Sequence, residues 1–194
     1  MRNRRYFANI KTNVYLDIGC GPHPHKGYCN LDYWWRPGID VCWDVRHGLP
    51  MSDASIRGVY SEHCIEHLEF GDVVNLLKEC YRVLIPGSYI RIIVPDVGIY
   101  IREYVKHSNG EKSAMPYAEG DAQYGIYTPM MSINRIFHAH GHRFIYDFET
   151  LKIILEKAGF AKVARQSFKV GDDQMLLLDT PFREVESLYV EAKK

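Results

Sequence analysis

The sequence predicts an α/β fold, a single doubly wound, mostly parallel sheet with a C-terminal antiparallel hairpin. Three observations carry that expectation. Val14-Tyr15-Leu16-Asp17-Ile18 is an aliphatic run with β-branched residues, as suits a strand buried on both faces of a parallel sheet. It runs straight into Gly19-Cys20-Gly21-Pro22, where two glycines permit positive φ and leave room for a ligand to approach the backbone. Two further strand-like runs end in or near an acid, Asp32 and Asp44. Ligands of open α/β sheets bind beyond the carboxyl ends of the strands, so turn and acids mark one candidate cleft.

In chain order, Tyr28–Asp32 (YCNLD) reads as the second strand, only the segment 22–27 after the glycine turn. A parallel crossover normally needs a dozen or more residues, so the first helix must be missing or cut to about a turn. Residues 39–45 (IDVCWDV) read as a third strand and 56–61 as a fourth. Gly71 and Asp72 then open a helix, with Asp72 as N-cap and Val73, Leu77, Cys80, Tyr81 and Leu84 at helical spacing. Pro86-Gly87 is read as its stop, and 89–94 (YIRIIV) as the fifth strand. A short helix is expected over 99–107. Residues 108–134 hold three glycines, two prolines and Tyr117, Tyr124 and Tyr127, the composition of a binding loop or lid. Asp147 caps a helix carrying Phe148, Leu151, Leu155 and Ala158 and ended by Gly159. Strands at 161–168 and 175–178 around Gly171-Asp172-Asp173 form the expected hairpin, and 184–192 a final helix.

At 194 residues, one domain over 1–194 is expected, with a lid or insertion at about 97–144. Basic and acidic residues balance at 24 each, so no global field favours nucleic acid or an anionic membrane. Five cysteines without a C-x-x-C pair suit reduced thiols. With no long apolar run, neither membrane insertion nor export is expected, which gives a cytoplasmic expectation. Arg2, Arg4 and Arg5 form a small basic arm, read as a solvated terminus.

Several phrases resemble one family. Leu16-Asp17-Ile18-Gly19-Cys20-Gly21-Pro22 resembles motif I of the class I S-adenosylmethionine-dependent methyltransferases. Asp44 through Gly48-Leu49-Pro50 to Ser55-Ile56, His63-Cys64-Ile65-Glu66-His67-Leu68 and Tyr81-Arg82-Val83-Leu84-Ile85-Pro86-Gly87-Ser88 resemble passages of its small-molecule branch. The likeness spans about 14–178. Arg57 stands where that family usually has Asp, and the helix after motif I is missing, as in a truncated subgroup associated with glycan functions.

The resemblance implies S-adenosylmethionine as cofactor, with S-adenosylhomocysteine as product, and a small-molecule or glycan-like acceptor methylated on oxygen or nitrogen. It implies that Gly19, Cys20 and Gly21 pass the amino-acid part and that Asp17 orients the loop and its ammonium. Asp32 would accept from both ribose hydroxyls, and Tyr33 would pack on adenine. Asp44 would accept from the adenine amino group beside the Val45 backbone, with Ser61 and Glu62 facing the cleft. If the acceptor must lose a proton, His63 is the first candidate base and His140, in His138-Ala139-His140-Gly141-His142, the second. Pro22 to Gly27, with His23 and His25, would wall the pocket. No metal site is assigned, and the oligomeric state stays open.

Three other readings compete. A non-catalytic cofactor binder or partner subunit of the same fold is consistent with Arg57 and the missing helix. A nicotinamide enzyme is disfavoured by Pro24, which stands where the dinucleotide fingerprint requires its third glycine. His63-x-x-Glu66-His67 matches the H-x-x-E-H pattern of zinc hydrolases, but that reading needs both histidines on one helix face.

Overall fold

A computed structural model describes residues 13–123 and 125–194. The basic arm of Arg2, Arg4 and Arg5 and the lid residue Tyr124 lie outside the described residues. Seven strands form one sheet in the order β3-β2-β1-β4-β5-β7-β6. They are β1 (Val14–Ile18), β2 (Tyr28–Asp32), β3 (Val41–Cys42), β4 (Ile56–Glu62), β5 (Leu84–Pro95), β6 (Ala161–Gln166) and β7 (Ser187–Lys193). Pairing is parallel from β3 through β5, and β7 runs antiparallel to both β5 and β6. The helices are α1 (Phe70–Val83), α2 (Val97–Ser108), α3 (Ala118–Gln123), α4 (Pro129–His138) and α5 (Phe148–Ala158). The expected architecture is present.

The main core lies on one face of the sheet. Leu16, Ile18, Val59, Ile90, Ile92, Leu188 and Val190 meet Val73, Leu76, Leu77 and Cys80 of α1 and Leu151, Ile154 and Leu155 of α5. The other face is covered differently. Between β1 and β2 the chain makes only turns, so no helix packs there. Its place is taken by the segment 167–180: Phe168, Leu176 and Leu178 pack on Tyr15, Tyr60, Ile93 and Tyr189. The Tyr15 hydroxyl donates to the Asp173 carboxylate at 3.1 Å, and the Tyr28 hydroxyl donates to the Met175 carbonyl.

Five local expectations are corrected. β3 shortens to Val41–Cys42, because Asp44 leaves the strand to cap a 3-10 turn, Val45–His47, accepting from the Arg46 amide. Helix α1 begins at Phe70 after Glu69, which makes no side-chain cap bond, and Asp72 lies within the first turn. Pro86-Gly87 does not stop the helix. α1 already ends at Val83, and the pair sits in a wide bulge of β5, where the register to β4 jumps between Ile56 and Gly58. The expected strand at 175–178 is a 3-10 turn, Gln174–Leu176. The expected C-terminal helix is strand β7. Val185, Leu188, Tyr189 and Ala192 fall at helical spacing and imitate an amphipathic helix. The chain is extended because β7 fills the gap between β5 and β6, with Leu188 and Val190 in one core and Tyr189 in the other. Within the expected lid, α3 and α4 add helices, and Tyr100, Met115 and Ile136 form a small core of their own.

Helix α5 matches its sequence signature. The Asp147 carboxylate accepts from the Thr150 amide at 2.8 Å, and Gly159 closes the helix at φ 110°. Asp147→Ala is expected to cost about 1 kcal/mol, read as a lower denaturation midpoint with unchanged slope. Hydrogen bonds to Thr150 hold the Asp147 carboxyl below the ordinary carboxylate range. The contribution is therefore present above its unfolded value, about pH 4, and lost as pH falls through the depressed folded value.

Candidate active site

A cleft of about 910 Å³ opens at the carboxyl ends of β1, β2 and β4, within the ~300–1,000 Å³ range of small-molecule pockets. Gly19 and Gly21 adopt φ of 75° and 58°. The amides of Gly19 and Cys20 donate to the Leu31 carbonyl at 2.8 and 3.3 Å, tying the turn to the end of β2. A Cβ on Gly19 would stand 2.3 Å from the Cys64 Sγ, so the turn is packed to the limit of a glycine. Gly19→Ala is expected to destabilise by about 2–4 kcal/mol, from a left-handed alanine and overpacking, and to depress ligand affinity together with the melting temperature.

Asp32 sits at the hinge of the cleft, 8% exposed. Its Oδ2 accepts from the Gly21 amide at 2.9 Å and its Oδ1 from the Trp34 amide at 2.8 Å. A carboxylate has about four lone-pair positions, so each oxygen keeps one acceptor position. Asp17, buried at the end of β1, is held by the His25 ring, whose Nδ1 lies 2.7 Å from Oδ2. Burial raises the Asp17 pKa, and the His25 hydrogen bond opposes it. His25 comes from the short connection that replaces the first helix. Pro22 and His23 line the same wall.

Asp44 is closed on Arg46. Its Oδ1 accepts from both the Arg46 amide (3.1 Å) and Nε (2.9 Å), and its Oδ2 from Nη2 at 2.8 Å. The bonds to Arg46 hold its carboxyl below the usual range. Only Oδ2, which also has the His47 Nδ1 at 3.5 Å, retains room for a further donor. Val45 and the exposed Tyr33 line the cleft beside it, and Cys20 lies on the floor with its thiol pushed up to about 12 by burial. Glu62 also faces the cleft, its oxygens taken by the Thr180 amide at 3.0 Å and hydroxyl at 2.5 Å.

Two of the sequence-derived positions are not brought to the wall. The Ser61 hydroxyl turns into the sheet and donates to the Ile18 carbonyl at 3.1 Å, bridging β4 to β1. His140 is exposed at φ 58° and does not line the cleft. His63 does line it, but its Nε2 lies 2.9 Å from the Ser187 hydroxyl, and burial lowers its pKa to about 3. It is a neutral imidazole and a far weaker base than a free one. The helix required by the H-x-x-E-H reading is absent: His63 has φ 47°, and Ile65–His67 is a single 3-10 turn.

Arg143, Thr180, Phe182 and Arg183 complete the wall. None has a local motif to announce it. Thr180 to Arg183 reach the cleft only because 167–180 crosses the open face and β7 returns through the sheet.

The fold, the glycine turn and the acid that ends β2 are features this chain shares with the class I S-adenosylmethionine-dependent methyltransferases. Residues 36–92, less than half of the chain, match a family described as "Methyltransferase domain". The chain is 40% identical over 57 residues to a Mycolicibacterium smegmatis protein named for S-adenosylmethionine-dependent methyltransferases, over 27% of this chain and 21% of that one. The match thus spans about a fifth of the curated relative's length. Among solved structures, an Archaeoglobus fulgidus S-adenosylmethionine-dependent methyltransferase superposes with TM-score 0.56 at 21% identity, over 98% of this chain and 90% of that one. Phosphoethanolamine N-methyltransferase 2 of Haemonchus contortus, in complex with S-adenosylmethionine, gives 0.51 at 15%, over 97% and 50%. At these identities the two structures attest the fold.

Proposed function

We propose that the protein transfers the methyl group of S-adenosylmethionine to an oxygen or nitrogen of a small-molecule or glycan-like acceptor. The observation that carries this reading is the Asp32 carboxylate, pinned to the glycine turn with one acceptor position open on each oxygen. That pair suits the two hydroxyls of a ribose. The turn at Gly19, Cys20 and Gly21 would hold the amino-acid end, with Asp17 and His25 behind it. Tyr33 and Val45 would flank the adenine, and Asp44 would offer it one oxygen through Oδ2.

The bound cofactor supplies an activated sulfonium methyl. The protein's part is to hold an acceptor in line with it, an effect worth roughly 7–11 kcal/mol at best. The reading takes the chain as one domain with a lid or insertion at about 97–144, from which Gly141 and Arg143 reach the cleft wall. No base is assigned, since His63 is buried and neutral and His140 stands apart. Among the described residues no helix is long and apolar enough to cross a membrane.

Calorimetric titration with S-adenosylmethionine and with NAD tests the reading. Binding of the first and not the second is expected, followed by a methyl-mass shift in one acceptor class under mass spectrometry. No S-adenosylmethionine binding at millimolar cofactor overturns it. Binding with no shift across all acceptor classes would instead favour the non-catalytic binder.

A further inference from the structure

Beside the cleft lies a cluster that the cofactor reading does not use. Glu66 is fully buried, and among the described residues neither carboxylate oxygen has a hydrogen-bond partner. An unsatisfied buried carboxylate is costly and calls for an explanation. Burial pushes its pKa up to about 8. Three imidazole-bearing or acidic side chains converge there: one ligand atom each from Glu66, His67 and His142 lies within 4.8 Å of the others. His67 Nε2 is 3.9 Å from Glu66 Oε1, and the His67 and His142 rings stand 5.0 Å apart.

The surroundings orient this set. The amides of Arg143 and Phe144 donate to the Glu66 carbonyl at 2.7 and 3.2 Å, clamping the loop that carries His142 against the Glu66 turn. His142 Nδ1 lies 2.7 Å from the Ile136 carbonyl. A carbonyl only accepts, so Nδ1 carries the proton and Nε2 keeps its lone pair. That is the arrangement in which an outer partner fixes the tautomer of a metal-binding histidine. His63 Nδ1 flanks Glu66 Oε1 at 3.6 Å, while its other nitrogen is engaged by Ser187.

We propose that Glu66, His67 and His142 form a binding site for one divalent transition metal of the zinc type. Two imidazoles and one carboxylate are a known donor set for such an ion with a fourth position open. Tetrahedral bonds of 2.0–2.2 Å put ligand atoms about 3.4 Å apart, so the 3.9 Å pair needs to close by about 0.5 Å and no pair, all lying within 4.8 Å, by more than about 1.4 Å. His67 is common to the cluster and the cleft wall, so the site adjoins the cleft and an open position on that side would face an acceptor. An acceptor hydroxyl or carboxylate oxygen is the ligand class it would take. That last step rests on the methyl-transfer reading, whereas the metal site itself does not.

The test is zinc titration of the full, tag-free chain by calorimetry, without S-adenosylmethionine, after dialysis against a chelator. One ion per chain is expected. E66Q and H142A should each weaken binding by about 10–100-fold or more, with H107A, at the far end of α2, as an unaltered control. Cobalt(II) in place of zinc should give the strong visible absorption of a low-coordinate site in the wild type and lose it in H142A. That readout stands even where E66Q fails to fold. Absence of stoichiometric zinc, or binding that H142A and E66Q leave unchanged, overturns the proposal. S-adenosylmethionine titration in chelator separates this failure from failure of the cofactor reading.

Discussion

Asp32→Ala is expected to weaken S-adenosylmethionine binding by at least a hundredfold, the largest functional effect of a single substitution in this chain. A hydrogen bond to a charged group contributes roughly 1.5–3 kcal/mol, and two ribose hydroxyls would each donate one to the Asp32 carboxylate. Removing both is worth roughly 3–6 kcal/mol, and every 1.4 kcal/mol is about tenfold in affinity. The same substitution frees the Gly21 and Trp34 amides that Asp32 holds. Both are near the surface, where water replaces the lost acceptor, so the variant should fold with a modestly lower melting temperature. Calorimetric titration beside a thermal melt separates the two effects. A folded Asp32→Ala protein with wild-type affinity would sink the placement of the ribose at β2.

Asp179→Ala should produce the largest loss of stability. Arg91 projects from β5 into the open face and is wholly buried, as is Asp179. Its Nε and Nη2 meet the two Asp179 oxygens at 2.8 and 2.5 Å, Nη1 reaches Glu191 at 3.4 Å, and its remaining N–H groups donate to the carbonyls of Val170 and Ser167. The Lys169 amide also donates to Asp179 at 2.7 Å. Breaking a buried pair by removing one partner leaves an uncompensated charge and costs about 3–5 kcal/mol. For a chain of this size that lowers the melting temperature by roughly 6–20 °C. The network does more than stabilise. It fastens the segment 167–180 over β1 and β2, and Thr180, next to Asp179, holds Glu62 in the cleft wall. Cofactor affinity should therefore fall alongside stability. A melting temperature within a degree of wild type would show that the segment is held by its apolar contacts alone.

Much of this was legible locally. β1 and its glycine turn, β2 with Asp32, and α5 with its Asp147 cap and Gly159 stop each depend on short-range conformational rules. The brief connection after Gly21 was legible too, because chain length limits what can fit between Gly21 and Tyr28. Asp44 shows where local reading stops. Its position near a strand end was evident, but Arg46, two residues on, takes most of its acceptor capacity. The H-x-x-E-H run was visible as a pattern, but a pattern does not say which members converge. In the fold His63 turns to Ser187, and Glu66 gathers His67 with His142 from 76 residues away.

By itself, then, the sequence determined the strand-turn-acid frame of the cleft, since glycine φ freedom, aliphatic runs and capping act over a few residues. Only the tertiary structure decided what closes that frame. Residues 187–193 carry a helical spacing of apolar side chains yet form a strand, because the gap between β5 and β6 rewards extended pairing with burial on both faces. With β7 in place, Arg91 acquires its partners, the 167–180 segment covers the face left without a helix, and Thr180, Phe182 and Arg183 reach the cleft. Such contacts join residues about a hundred positions apart, and no local preference in the chain encodes them.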